Sequence, residues 1–435
     1  MITVVLDDDP TGTQAMSDVS VVLDWRDASA WATVQPGDRG VHVLTNSRAY
    51  TGRDAAALVA SAAAASKRHH PQSRILLRGD STLRAHVWEE YEALRRVVAP
   101  ERSAVPLLLV PALPAAGRVT LGSIHMLELG SQRVRLDETE YARDGALTYA
   151  SSHLPLWAEE RSGGRFLAAD AVCLSLERIR RPDGPRAVAE ALAEASRLRR
   201  PAVVVPDAEV DGDLRVVAAG VELAESAGTL FLVRSAPAFV AALTGQSAAS
   251  LAEVPAGDRG VLVLCGSFVS TSTKQIERLV SAYPDSLVSA SVTALGGAGS
   301  EQEVERVVAL ARTRIELGGL AVVSTDRVRN PAFVDPVAQR RIADALARVA
   351  SHVHAGVVIA KGGITSAVTV REGLGARAAR VVGPVRSGVA RWRLPDGREY
   401  LVVPGNVGDS HLLCELVRSI VPIPQVNLTA PKRAC

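Results

Sequence analysis

Aromatic residues make up only 4% of this 435-residue chain, and neither sign of charge prevails, with 49 Lys and Arg against 47 Asp and Glu. A nucleic-acid surface needs a basic field and, for single strands, aromatic platforms on which bases stack. Both are missing, so nucleic acid is not an expected partner. Cysteine is also scarce. The four present, Cys173, Cys265, Cys414 and Cys435, form no CxxC pair, a spacing that suits neither a zinc site nor a disulfide framework and reads as reduced, cytosolic thiols. No apolar run approaches the ~18 residues of a membrane helix. The chain opens directly on the strand-like ITVVL segment, without a charged leader or cleavage signal. A cytoplasmic protein with no membrane partner is expected.

Apolar residues, at 47%, supply ample material for buried sheets. A chain of this length exceeds the ~100–200 residues of one ordinary domain, so two domains are expected. Short β-rich apolar runs alternate with alanine-rich helical stretches, which implies βαβ units. Strands are expected at Ile2–Leu6, Val41–Thr45, Arg74–Leu77, Leu107–Val110, Ala202–Val205 and Thr229–Val233, with helices at Arg53–Lys67, Leu83–Val98, Arg186–Leu198 and Leu214–Ala227. Residues Leu113–Arg165 are less regular and predict loops and a short hairpin. A second series places strands at Gly260–Leu264, Leu287–Val292, Ala321–Ser324, Gly356–Ala360, Ala379–Val382 and Tyr400–Val403. Its helices are expected at Thr273–Ala282, Glu301–Leu317, Pro336–Ala350 and Ser410–Val421. The fold class is α/β, with two domains that are each a mostly parallel sheet flanked by helices. The expected division is 1–245, a linker at 246–259 that is short of large apolar residues, and 260–435.

Ligands of open α/β sheets gather at the carboxyl ends of the strands, and in the first domain those ends are unusually polar. The first strand runs into Asp7, Asp8, Asp9, Pro10 and Thr11, and the second into Asn46, Ser47 and Arg48. The third delivers Arg78, Gly79, Asp80, Ser81 and Thr82, with Arg84 following. Three successive carboxylates repel one another, a cost tolerated where they hold a metal, accept hydroxyl hydrogen bonds or abstract a proton. Taken alone the segment is an acidic turn, because Asp-Pro and Thr-Gly favour turns. Arg48, Arg78 and Arg84 can clamp a carboxylate, and Ser81 or Thr82 can either cap a helix or leave backbone N–H groups for an anion. The agreement of several strand ends favours a site. The second domain offers glycine and hydroxyl residues instead: Gly266, Ser267, Ser270 and Thr271 after one strand, Gly362, Gly363, Thr365 and Ser366 after another, and Gly405, Asn406 and Gly408 after a third. Such loops let N–H groups approach phosphate oxygens. No Walker A loop, GxGxxG fingerprint or GxSxG elbow is present.

In order, Asp8-Asp9-Pro10-Thr11-Gly12, Thr45-Asn46-Ser47-Arg48, Arg78-Gly79-Asp80-Ser81-Thr82-Leu83-Arg84, Gly266-Ser267, Gly362-Gly363-Ile364-Thr365-Ser366 and Gly405-Asn406-Val407-Gly408 resemble the motifs of the four-carbon acid sugar kinase family. This chain departs from the pattern at Ile364, at Ala85 and Ala367, which replace glycines, and in the extra residue of its DDDPTG, so it resembles a divergent branch. The resemblance implies an N-terminal domain that binds the sugar acid, a C-terminal domain that binds ATP, and an active site in the cleft between them. It also implies Mg²⁺-assisted transfer to the terminal hydroxyl of an acid such as threonate, erythronate or a 3-oxo-tetronate. Substrate contacts would then fall to Asp8, Thr11, Asn46, Ser47, Arg48, Arg78, Asp80, Ser81 and Arg84, and the base to Asp8, Asp9 or Asp80. The glycine and hydroxyl loops would take ATP; the Mg²⁺ ligands stay open, and a homodimer is the assembly considered. Competing readings are a sugar-acid aldolase or dehydrogenase, which would turn over without ATP, and a non-catalytic sugar-acid sensor.

Overall fold

Apolar runs such as Val4-Val5-Leu6, closed to solvent on both faces, form central strands of parallel sheets, where helices cover both sides. The computed structural model describes residues 1–143, 147–198, 200–248, 250–255, 259–266, 269–326, 336–405 and 407–422. Contacts divide the chain into two units, one of Met1–Ala252 with Ala376–Pro395 and one of Glu253–Gly375 with Asp396–Cys435.

The first unit contains β1 (Thr3–Asp7), β2 (Val19–Val22), β3 (Gly40–Leu44), β4 (Arg74–Arg78) and β5 (Leu107–Val110). A three-stranded antiparallel sheet follows, β6 (Arg118–Leu121), β7 (Ile124–Leu129) and β8 (Gln132–Arg135), within the region expected to hold a hairpin. Then come β9 (Val172–Leu174), β10 (Val203–Pro206) and β11 (Leu232–Ser235). The main sheet runs in the order β2-β3-β1-β4-β11-β5-β10-β9, with every one of these pairs parallel. Its register aligns the strand ends: Asp7 lies opposite Leu44 and Arg78, and Ser235 lies opposite Arg78 and Val110.

The second unit contains β12 (Val261–Cys265), β13 (Leu287–Ala290), β14 (Leu320–Thr325) and β15 (Val357–Lys361). The chain then returns to the first unit with β16 (Ala378–Arg386) and β17 (Val389–Arg393), an antiparallel pair whose β16 docks antiparallel on the free edge of β2. It ends in the second unit with β18 (Glu399–Val403), giving the parallel order β13-β14-β12-β15-β18.

Three local expectations change. The helix expected from Leu83 begins at Val87, because Leu83 sits at φ 66°, a left-handed conformation that a bulky residue adopts rarely and that helices exclude. The strand expected at Ala379–Val382 is part of a longer one that counts with the first unit, because the edge of β2 supplies its hydrogen-bond partners. The start of the expected linker is also tied to the first unit. Ser247 bridges Met16, the Gln246 side chain donates to the Asp18 carbonyl at 3.1 Å, and Ala252 N–H donates to the Pro384 carbonyl at 2.7 Å. Among the described residues no helix is long and apolar enough to cross a membrane.

Candidate active site

Beyond β1 the chain cannot remain extended, because Pro10 lacks an N–H and fixes φ. It turns into a short 3₁₀ helix, Pro10–Thr13, whose N-cap is Asp9; the Asp9 carboxylate accepts from Thr11 N at 2.7 Å and also from the Thr11 hydroxyl. Gly12 is dictated by crowding, since a Cβ there would overlap the Asp7 carboxylate. After β3, Asn46 adopts φ 53° and donates its N–H to the Asp7 carbonyl at 3.2 Å. Strand ends that neighbour one another in the sheet thereby become one cluster.

Arg78 is its centre. Its Nη1 lies 3.1 Å from Asp7 Oδ1, 2.9 Å from Asp8 Oδ1 and 3.3 Å from Asp9 Oδ1, and its Nη2 donates to Thr11 Oγ1 at 3.2 Å. One buried guanidinium thus offsets the mutual repulsion of three carboxylates. Asp7 also accepts from His42 Nδ1 at 2.8 Å. Arg48 pairs with Asp9 and, at 3.3 Å, with Asp80, while Arg84 Nε donates to Asp80 at 2.6 Å. Ser47 donates to Glu90 Oε1 at 2.5 Å, and Arg234 holds the other Glu90 oxygen at 2.5 Å. Ser81 accepts from Arg118 at 3.2 Å, and its carbonyl accepts from His125 Nε2 at 2.8 Å.

The carboxylates differ in their electrostatics. Burial pushes the Asp8 carboxyl above its ordinary value despite the Arg48 and Arg78 charges, and its Oδ2 is buried with no hydrogen-bond partner. Burial acts on Asp80 in the same sense, but Arg84, Arg48 and the Thr82 hydroxyl outweigh it and hold that carboxyl well below the usual range. Every expected residue of the first unit lies in this network or directly beside it. Arg78, expected to clamp a substrate carboxylate, instead binds the protein's own carboxylates and is 3% exposed, whereas Arg48 and Arg84 keep 16% and 21% of their side chains exposed.

In the second unit the strand ends carry loops of a different chemistry. Gly362 has φ 105°, outside the range open to other residues, and Gly363 begins a helical turn. Gly266 is close to Thr365: a Cβ on the glycine would stand 3.1 Å from Thr365 Oγ1. The helix Ser270–Ala282 secures the third loop, with Ser272 donating to the Gly405 carbonyl at 3.1 Å and Gln275 to the Val407 and Asp409 carbonyls at 3.0 and 2.7 Å. Ser270 is exposed and Thr271 half-buried on the first turn of that helix. Ser366 faces inward and donates to the Ala360 carbonyl at 3.0 Å. Ser267 and Asn406 lie outside the described residues. Lys361, not singled out from sequence, is fully buried at the end of β15 and donates to the Pro404 carbonyl at 2.9 Å, tying the Gly362 and Gly405 loops together. Among the described residues no group of three or more His, Cys, Asp or Glu side chains could hold a metal ion.

Residues missed in the first unit are His42, Glu90, His125 and Arg234; Asp7 reads from the sequence only as one of three successive carboxylates and Arg118 only as part of a polar strand end. Two of the missed residues carried a readable signal: Arg234 directly follows the apolar Leu232-Val233 of its strand, and Glu90 lies among the core-facing positions Val87, Tyr91 and Leu94 of its helix.

Comparisons with known proteins agree with this two-part chemistry. Residues 3–243 match the family model described as a sugar-binding N-terminal domain, and residues 262–413 match that of a nucleotide-binding C-terminal domain. A D-erythronate kinase from Heliobacterium modesticaldum is 28% identical over 446 aligned positions, covering 95% of this chain and 96% of that one. Two solved structures share the fold. A Haemophilus influenzae protein of a domain-of-unknown-function family has a TM-score of 0.62 at 19% identity, covering 96% of this chain and 99% of its own. A Salmonella typhimurium protein described as a tRNA synthase has a TM-score of 0.66 at 18% identity, covering 95% and 98%. With sugar-binding and nucleotide-binding models matched in sequence over most of its length, the chain belongs to the four-carbon acid sugar kinase family.

Proposed function

We propose that the protein transfers the γ-phosphoryl group of ATP to the terminal hydroxyl of a four-carbon sugar acid of the erythronate or threonate type. The observation that carries the reading is the guanidinium and carboxylate cluster at the ends of β1, β3 and β4, in the unit matched as sugar-binding. Arg48 and Arg84, the more exposed cations, draw in the acid's carboxylate. Asp8 accepts the hydroxyl proton. All three carboxylates pair with arginines, but Arg48, Arg84 and the Thr82 hydroxyl hold Asp80 well below the usual range and make it a poor base, whereas the raised Asp8 carboxyl keeps one unpartnered oxygen and matches what a general base needs. That oxygen is closed to solvent, so an incoming hydroxyl must displace part of its cover.

The loops at Gly266, Gly362–Thr365 and Gly405–Gly408 suit the nucleotide phosphates, with Gly362 giving close backbone approach. Mg²⁺ neutralises phosphate charge in such reactions and is held largely by phosphate oxygens and water; no protein ligand is assigned to it. Catalysis then rests on positioning and charge neutralisation. The test is ADP release by purified protein with ATP, Mg²⁺ and single four-carbon acids. Release that depends on one of these acids is expected; an ADP rate equal to the acid-free blank for erythronates, threonates and 3-oxo-tetronates would sink the proposal.

A further inference from the structure

Behind Asp80, at the carboxyl ends of β4, β11 and β5, lies a cavity of about 10 Å³, room for about one oxygen atom. Three residues on its wall each keep a buried polar atom without a hydrogen-bond partner: Arg234 Nη2, Ser235 Oγ and Trp157 Nε1. Leu83, Ala85, Leu109 and Pro111 supply its apolar part, and Gly79 and Asp80 also line it. These are not loose surface groups. Arg234, Ser235 and Trp157 are 3%, 2% and 1% exposed, and Arg234 is fixed from behind by Glu90, which Ser47 holds in turn. Leaving a buried donor unsatisfied is costly, so three around one small space call for a common partner. The guanidinium and indole nitrogens can only donate, and the hydroxyl can donate. The complement of three donors is an acceptor oxygen.

We propose that this slot receives one such oxygen of the sugar acid, from its carboxylate or from a 3-oxo group, and that Arg234, Ser235 and Trp157 are specificity-determining residues. The proposal rests on the reading of the first unit as the acid-binding unit, and it adds the end at which the acid is recognised. Arg48 and Arg84 supply long-range attraction; the slot supplies geometry.

The test uses the full-length protein, with calorimetric titration of erythronate, threonate and a 3-oxo-tetronate, alone and with ATP. Trp157→Phe and Ser235→Ala each remove one donor while keeping most of the packing, and Arg234 is left intact because its loss would strand Glu90. Each variant is expected to weaken acid binding roughly 10-fold, the scale of one hydrogen bond to a charged oxygen, with ATP affinity unchanged. An equal loss for the 3-oxo and 3-hydroxy acids assigns the slot to the carboxylate; a loss confined to the 3-oxo acid assigns it to the ketone. Wild-type affinity in both variants would mean that the slot holds water, and would overturn the proposal, as would a wild-type protein that binds none of these acids. Acid binding without phosphoryl transfer would remove the kinase reading while the variants still decide the slot.

Discussion

Neighbouring carboxylates differ in their number of partners, and on the proposed reading that difference would set their roles. Asp7 is held by His42 and Arg78, and Asp9 by Thr11, Arg48 and Arg78, whereas Asp8 has one oxygen on Arg78 and the other on nothing. Asp8→Asn should therefore lower kcat by at least ~100-fold, the usual contribution of a general base, while KM for the acid changes little; Asp9→Asn and Asp80→Asn should raise KM instead, by loosening Arg48 and Arg84. Steady-state kinetics on the three variants decide it, and a kcat loss centred on Asp80 would move the base there. Sequence alone made the carboxylates legible because they are contiguous and follow a strand. It could not rank them, because the ranking comes from Arg78, seventy residues onward, and from burial.

At the level of elements, the irregular stretch after β5 has a definite task. The β6–β8 sheet and its flanks hold the segment between β4 and the helix Val87–Val98: Arg118 donates to Ser81 Oγ, His125 to the Ser81 carbonyl, and the Tyr149 hydroxyl to the Thr82 carbonyl at 2.9 Å. Such bracing offsets the unfavourable backbone of Leu83. A carbonyl can only accept, so His125 Nε2 carries the proton and Nδ1 accepts from Thr120 at 3.0 Å. Burial pushes this imidazole down to about 4, below its unfolded value of about 6.5. A depressed histidine favours the folded state above pH 6.5, and that contribution, on the order of 3 kcal/mol, is lost as pH falls toward 4. Urea midpoints should drop between pH 7 and pH 4.5, and His125→Gln should flatten the drop; an equally steep loss in the variant would assign it to other groups. A hairpin was legible here, but its bracing role was not, since His125 reaches Ser81 across 44 residues and no local pattern announces that contact.

For the whole molecule, the sequence revealed two βαβ series and where their polar loops fall, because hydrophobic periodicity is a local signal. It did not reveal that the chain returns to its first unit. The segments β16 and β17 look like any other strands, and only the unpaired edge of β2 explains where they go. Arg380 fixes the return, reaching Asp38 at 2.9 Å and Asp18 at 2.6 Å, and Trp392 Nε1 donates to Thr13 Oγ1 at 2.8 Å beside the acidic turn. A fragment ending at Ala252 should therefore be aggregation-prone through the bared β2 edge, whereas one carrying 376–395 on a flexible tether should be monomeric and show a sharp unfolding transition. Size-exclusion chromatography and thermal denaturation of the two fragments check this, and a well-behaved short fragment would refute it.

The same return has a consequence for biosynthesis. On the ribosome the residues that seal β2 emerge only after the whole of 253–375 has been made. Chains generally fold domain by domain as they are synthesised, at ~5–20 residues per second. Here the first unit must wait several seconds with an open strand edge, the interval in which a nascent-chain chaperone has the most to protect.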